Sequence, residues 1–126
     1  MTGQLKADVD LVALFAAMDR GDVDATTAFL HDDVVVRLGN RPPINGKQAF
    51  KDLFAQVGGS IAGLSHELQD VWTASEDAAI RVVRMTVHYT RLDGEVVSLP
   101  CCNVFRLRDG AIAEYEVYVD MTPVFA

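Results

Sequence analysis

The sequence predicts an α+β domain: three N-terminal helices packed on a curved, mainly antiparallel sheet. Three observations predict it. Apolar residues recur at helical spacing up to Gly58-Gly59, and from Leu64 to the end the chain reads as strands. A run of helices followed by a run of strands argues α+β and not α/β. The strands are joined by tight turns, including Asp93-Gly94 and Asp109-Gly110, which favour an antiparallel meander. Long meanders twist and curl, so helices laid on the concave face make a cone, and unfilled apolar volume there is a pocket.

Each element has its own signals. Asp8 or Asp10 caps a first helix, in which Val9, Val12, Ala13, Ala16 and Ala17 interleave with Leu11, Leu14, Phe15 and Met18. The wide apolar arc predicts a mostly buried helix, ended by Gly21. Asp22 or Asp24 caps a short second helix through Phe29 and Leu30, and His31-Asp32-Asp33 follows as a polar turn. Val34 to Leu38 is a short strand. Gly39 to Gly46, with Pro42-Pro43, is irregular. Asn45 caps a third helix from about Lys47 to Val57 (Ala49, Phe50, Leu53, Phe54 and Val57 in one stripe), and Gly58-Gly59 stops it. Leu64–Thr73 and Ala78–Leu92 are strands, with a turn at Ala74–Asp77 between them. The final hairpin spans Glu95 to Asp120 around Arg108-Asp109-Gly110-Ala111.

Alternation places Ala113, Tyr115, Val117 and Val119 on the buried face of the last strand, and Ile112, Glu114, Glu116 and Tyr118 on the other. In the preceding strand Cys101, Asn103 and Phe105 share a face, so one amide sits among apolar neighbours. This hairpin is the expected floor of the pocket. Pro100 lacks an N–H and suits an edge or a bulge. Met121 to Ala126 is a short tail with two apolar anchors.

Composition narrows the function classes. At 126 residues the chain is one domain, 1–126, half of it hydrophobic. A formal net charge of −7 disfavours nucleic acid and anionic membranes as partners. No run reaches the roughly 20 apolar residues of a membrane span, and Met1–Asp8 has no apolar leader core. Cys101 and Cys102 are adjacent and point to opposite strand faces, so a bond between them is disfavoured; free thiols suit a reducing cytoplasm. There is no CxxC and no Cys/His spacing of the metal type, so neither metal nor cofactor is expected.

The stretches AAMDRGDVDATTAFLHDDVVV, PPINGKQAF and LPCCNVFRLRDGAIAEYEVYVD together carry a resemblance. They resemble the cystatin-like cone shared by nuclear transport factor two, ketosteroid isomerase, limonene epoxide hydrolase and SnoaL-type polyketide cyclases, the SnoaL-like group most of all. The resemblance spans nearly the whole chain and implies the cone fold. For activity it implies either acid–base chemistry of the isomerase, cyclase or hydrolase type, or a non-catalytic module, since the fold hosts both. An ungapped alignment puts the ketosteroid isomerase base at Leu38, its tyrosine at Leu14 and its protonated acid at Asn103. The acid/base aspartate of the cyclases, in a motif like I-x-E-H-W-D, falls at Val117 of Ile112-Ala113-Glu114-Tyr115-Glu116-Val117. The Arg-x-Asp of the epoxide hydrolases falls at Arg84-Met85-Thr86. Three usual acid–base positions are therefore Leu14, Leu38 and Val117.

The remaining polar residues each carry two readings. Asn103 is either an oxyanion-type donor or a structural amide. Asp120 is either a carboxylate at the cone mouth, or a C-terminal cap or the partner of an Arg. His66 and His88 are candidate bases or satisfied strand histidines, and His31 is a solvated turn residue. Tyr89, Tyr115 and Tyr118 pack or donate O–H groups. Glu114 and Glu116 belong to the outer face, and at most one of Arg81 and Arg84 points inward. Cys101 has no adjacent base to activate it. The expected catalytic set is Asn103, His66 and Asp120. The expected ligand-binding set is Phe15, Met18, Leu38, Phe54, Trp72, Cys101, Phe105, Tyr115 and Val117. The partners expected are a small hydrophobic, oxygenated molecule and a second copy of the chain, docked through the outer sheet face. The alternative is a non-catalytic ligand-binding or dimeric interaction module.

Overall fold

A computed structural model describes residues 9–125. Asp8 as a cap and the leader-free reading of Met1–Asp8 lie outside the described residues. The order is α1 (Leu11–Asp19), α2 (Val23–Thr27), β1 (Leu30–Leu38), β2 (Ile44–Asn45), α3 (Lys47–Ser60), β3 (Gly63–Thr73), β4 (Ile80–Thr90), β5 (Val96–Arg108), β6 (Ala111–Tyr118) and α4 (Thr122–Phe125). The six strands form one sheet in the order β2-β1-β6-β5-β4-β3. From β3 to β6 it is the expected antiparallel meander, while β1 pairs parallel to β6. The sheet curves under the helices without closing on itself. No helix among the described residues is long and apolar enough to cross a membrane.

α1 is fixed at both ends by side-chain and backbone chemistry. Asp10 caps it by accepting from the Ala13 N–H at 3.0 Å. At its other end the Gly21 N–H bonds Met18 O and the Asp22 N–H bonds Ala17 O, a Schellman closure with Gly21 at φ +71°. Only one face of α1 is buried: Leu11, Leu14, Phe15 and Ala17 enter the core, whereas Val12 is 66% exposed. Asp22 caps α2 by accepting from the Ala25 N–H.

Several boundaries differ from the sequence reading. α2 stops at Thr27, and Leu30 already belongs to β1. His31-Asp32-Asp33 is thus not a turn but the irregular start of that strand, where the register with β6 shifts between Leu30 and Val35. Leu30 and Val34, both buried, pin the two ends of this stretch. Within the segment read as irregular, Ile44–Asn45 pairs with β1. Asn45 does not cap α3; Gly46 is the N-cap, at φ +90°, with no side-chain bond. Nor do Gly58-Gly59 end α3, which runs to Ser60. Neither glycine has a positive φ, and a Cβ on either would meet nothing within 4 Å. Val57 and Ile61, packed in the core on either side of the pair, hold the last turn.

Two bulges reset the strand faces. β3 carries an extra residue between Leu68 and Asp70, so His66, paired with Val87, points inward while Trp72, paired with Val82, points outward. β6 has a register shift opposite Arg106/Leu107, and Ile112 and Ala113 are both buried. Ile112 therefore joins the core and not the outer face. Pro100 pairs with Thr86 on one side only, because the β5–β6 pairing reaches no further than Cys102↔Tyr118. Asp109 and Gly110, at φ 54° and 77°, make the predicted two-residue turn of the type I′ kind. In the tail, Val124 anchors in the core and Phe125 stays exposed. The core itself lies between α1 and the sheet, around Leu14, Phe15, Val83, Met85, Phe105 and Ile112.

Candidate functional site

Between α3, the end of α1 and the concave face of the sheet lies a cavity of about 320 Å³. Its walls are mostly apolar: Val36 and Leu38 from β1, Phe50, Leu53, Phe54 and Val57 from α3, Leu64 from β3, Val87 from β4, Val117 from β6 and Met121. The polar groups converge on it in two sets.

One set forms a wall where β3 passes the end of α1. His66 is inward, its side chain 7% exposed. Asp19, on the last turn of α1, accepts from His66 twice: Oδ2 from the backbone N–H at 3.1 Å, and Oδ1 from ring Nδ1 at 2.6 Å. A carboxylate only accepts, which assigns the proton to Nδ1 and leaves Nε2 as the acceptor. Among the described residues no group bonds Nε2. Because no buried side-chain nitrogen or oxygen among the described residues lacks a partner, Nε2 opens on the cavity. The Phe15 ring packs 4.8 Å from the imidazole, centroid to centroid, and fixes its plane. Burial lowers the pKa of His66 below its ordinary 6.5, and the hydrogen bond and charge of Asp19 offset only part of that effect. The imidazole is therefore neutral at pH 7, with a lone pair facing an apolar space.

Tyr89 belongs to the same wall. Register pairs Leu64 with Tyr89 and His66 with Val87, so His66 and Tyr89 are diagonal neighbours on one face. The Tyr89 hydroxyl has no hydrogen-bond partner among the described residues, and Tyr89 also lines the cavity. Burial pushes its pKa up to about 12, so it stays a donor.

The second set is the floor. Asn103, 1% exposed, donates from Nδ2 to the Tyr115 hydroxyl at 3.3 Å and accepts at Oδ1 from the Cys101 thiol at 3.4 Å. The Tyr115 hydroxyl in turn donates to Met18 Sδ at 3.7 Å. Burial drives the pKa of Tyr115 far upward and that of Cys101 up to about 11, so neither titrates near neutrality. The Cys101 thiol is no nucleophile here.

The cavity thus gathers Asn103, His66, Met18, Leu38, Phe54, Cys101, Tyr115 and Val117 from the expected sets. It does not gather the others. Phe15 and Phe105 are buried beneath it as core, Trp72 is 49% exposed, and Leu14 is wholly buried. Asp120 is exposed and accepts from the Thr122 N–H, two residues on, at 3.0 Å, a bond that lowers its pKa. His88 lies on the outer face, its Nδ1 2.7 Å from Ser98 Oγ and its Nε2 2.8 Å from Glu67. Glu114 and Glu116 pair with Arg106 and Arg37. Arg81 is buried and Arg84 exposed, so one of the two points inward. Asp19 escaped the sequence reading: its only local signal is a carboxylate two residues before Gly21, and its partner is 47 residues away. Among the described residues, no group of three or more His, Cys, Asp or Glu is placed to hold a metal ion.

The sequence profile of the SnoaL-like domain matches residues 11–115, and the chain belongs to that family. Among solved structures it is similar to a candidate polyketide cyclase from Xanthomonas campestris pv. campestris (27% identity, 90% of this chain and 89% of that one, TM-score 0.76). It is also similar to an NTF2-like protein of unknown function from Burkholderia pseudomallei (17% identity, 99% and 96%, TM-score 0.83). An epoxide hydrolase of the LEH-like kind from M. tuberculosis shares the fold (23% identity, 91% and 83%, TM-score 0.75). No match was found among curated proteins.

Proposed function

We propose that this chain binds a small hydrophobic, oxygenated molecule in the cavity and moves a proton on it. His66 Nε2 is the general base, Asp19 orients the ring and stabilises the imidazolium that forms, and the Tyr89 hydroxyl donates to the ligand oxygen on which charge develops. The proton taken by Nε2 can be returned to a neighbouring atom of the same ligand, which is isomerase or cyclase chemistry. The apolar walls exclude water and strengthen these contacts. The observation that carries the reading is an unpartnered imidazole nitrogen, held by a carboxylate and facing an otherwise greasy hollow. Family membership and the likeness to a candidate polyketide cyclase support it.

A second reading is a non-catalytic binding module. It is favoured by the apolar side chains at Leu14, Leu38 and Val117, where relatives with acid–base chemistry are expected to carry polar ones. Self-association through the outer sheet face, and a reducing cytoplasmic setting suited to two unpaired cysteines, complete the proposal. One experiment separates the readings. A panel of hydrophobic ketones is incubated with the protein in D₂O, and exchange of the α-protons is followed by NMR. Exchange is expected for ligands that fit, and His66→Gln is expected to cut its rate about 10²- to 10⁴-fold while binding persists. Binding without exchange in the wild type would leave the module reading.

A further inference from the structure

We infer that the ligand of this cavity carries a carboxylate, held by Arg41 in a second cleft that continues the first. The inference rests on the small-molecule reading above. The cleft, about 300 Å³, lies between α3 and the loop joining β1 to β2. Val36, Leu38 and Leu53 line both spaces, so an apolar chain passing over them leads from one to the other. At the far end the chemistry changes: Arg41, Asp52 and Gln56 replace the hydrocarbon walls.

Arg41 is singled out by its lack of a partner. The chain has 18 acidic residues against 11 basic ones, and carboxylates are plentiful on its surface. Among the described residues, every other lysine and arginine side chain makes an ion pair or a hydrogen bond. Arg41 makes neither; only its backbone N–H is engaged, by Leu38 O at 3.1 Å. That bond, with Pro42-Pro43 following, holds the loop at the cleft rim. A guanidinium offers a planar fork matched to a carboxylate, and one left free in an acidic protein attracts an anion. The Asp52 carboxylate in the same cleft accepts from Gln48 Nε2 at 3.1 Å and disfavours anions on its own side. It thereby sets where the charged end of a ligand sits: on the loop, not on the helix.

Decanoate and decanol make the test, because they share a chain and differ in charge. Binding of each is measured by calorimetry on the wild type, Arg41→Gln, Asp52→Asn, and Arg37→Gln as a control on the outer face. The wild type is expected to prefer decanoate. Arg41→Gln should weaken decanoate roughly tenfold and leave decanol unchanged, the loss shrinking as salt rises. Asp52→Asn should tighten decanoate, and Arg37→Gln should change nothing. Decanol binding with no preference for decanoate, or with decanoate indifferent to Arg41→Gln, would overturn the inference and leave the apolar cavity standing. Failure of the wild type to bind either molecule would overturn the cavity reading and this one together.

Discussion

The floor and the wall of the cavity are both polar, both inward and both built on adjacent strands, yet they differ in what they leave free. At the floor, Cys101, Asn103, Tyr115 and Met18 close a chain of hydrogen bonds upon themselves. At the wall, Asp19 takes up one nitrogen of His66 and leaves the other open, and Tyr89 stands with its hydroxyl unclaimed. A polar side chain in a pocket is therefore not the same as an available one. Asn103 is the most conspicuous residue in the sequence, but its amide is occupied at both ends by protein. Atoms without partners are the ones open to a ligand, so in the proposed function His66 and Tyr89 take the reacting role and Asn103 a supporting one.

Substitutions can break this contrast or sharpen it. After His66→Gln, the largest effect is expected from Asp19→Asn. The carboxamide cannot stabilise an imidazolium as a carboxylate does, so turnover should fall about a hundredfold, with ligand affinity nearly unchanged. Separate measurement of kcat and KM checks this, and a change confined to KM would reassign Asp19 to binding. Asn103→Leu should act the other way. It takes away the amide that donates to the Tyr115 hydroxyl and accepts from the Cys101 thiol, leaving the hydroxyl only Met18 Sδ, so a denaturant melt should show a loss of about 1–3 kcal/mol. A variant that melts like the wild type but no longer turns over would reverse the roles of floor and wall.

The smallest effect is in the pH dependence of stability. His66 has a lowered pKa in the folded protein, so below its ordinary 6.5 the unfolded chain binds a proton that the folded one refuses. Its contribution is thus fully present above pH 6.5 and is lost as pH falls from there through the lowered value. The melting temperature should decline over that window, and His66→Gln should flatten the decline. An unaltered profile in the variant would show that the imidazole is not held neutral by burial.

Much of this was legible in the sequence because the signals are local. Asp10, Gly21, Asp22 and Asp109-Gly110 act within a few residues of themselves, and they cap or turn where the pattern says. Gly58-Gly59 misled because tertiary packing of Val57 and Ile61 overrides a weak helix propensity. The bulges misled for another reason. One extra residue costs little locally, yet it reverses every side chain beyond it, which sends Trp72 outward and Ile112 inward. Asn103 could be read as inward, but the bonds that occupy it could not, since Tyr115 lies on another strand. The Asp19–His66 pair was out of reach altogether, because only the folded chain brings a helix end to that strand.

The Schellman closure of α1 has one more consequence. Each residue of an α-helix turns the chain by about 100° and advances it about 1.5 Å. Between the Asp10 cap and the Gly21 stop the helix has a set number of residues, and Asp19 is aimed at β3 only at that count. A single insertion or deletion there would leave both caps in place but swing the carboxylate away from the imidazole, so the length of α1 is as constrained as its buried face of Leu11, Leu14, Phe15 and Ala17.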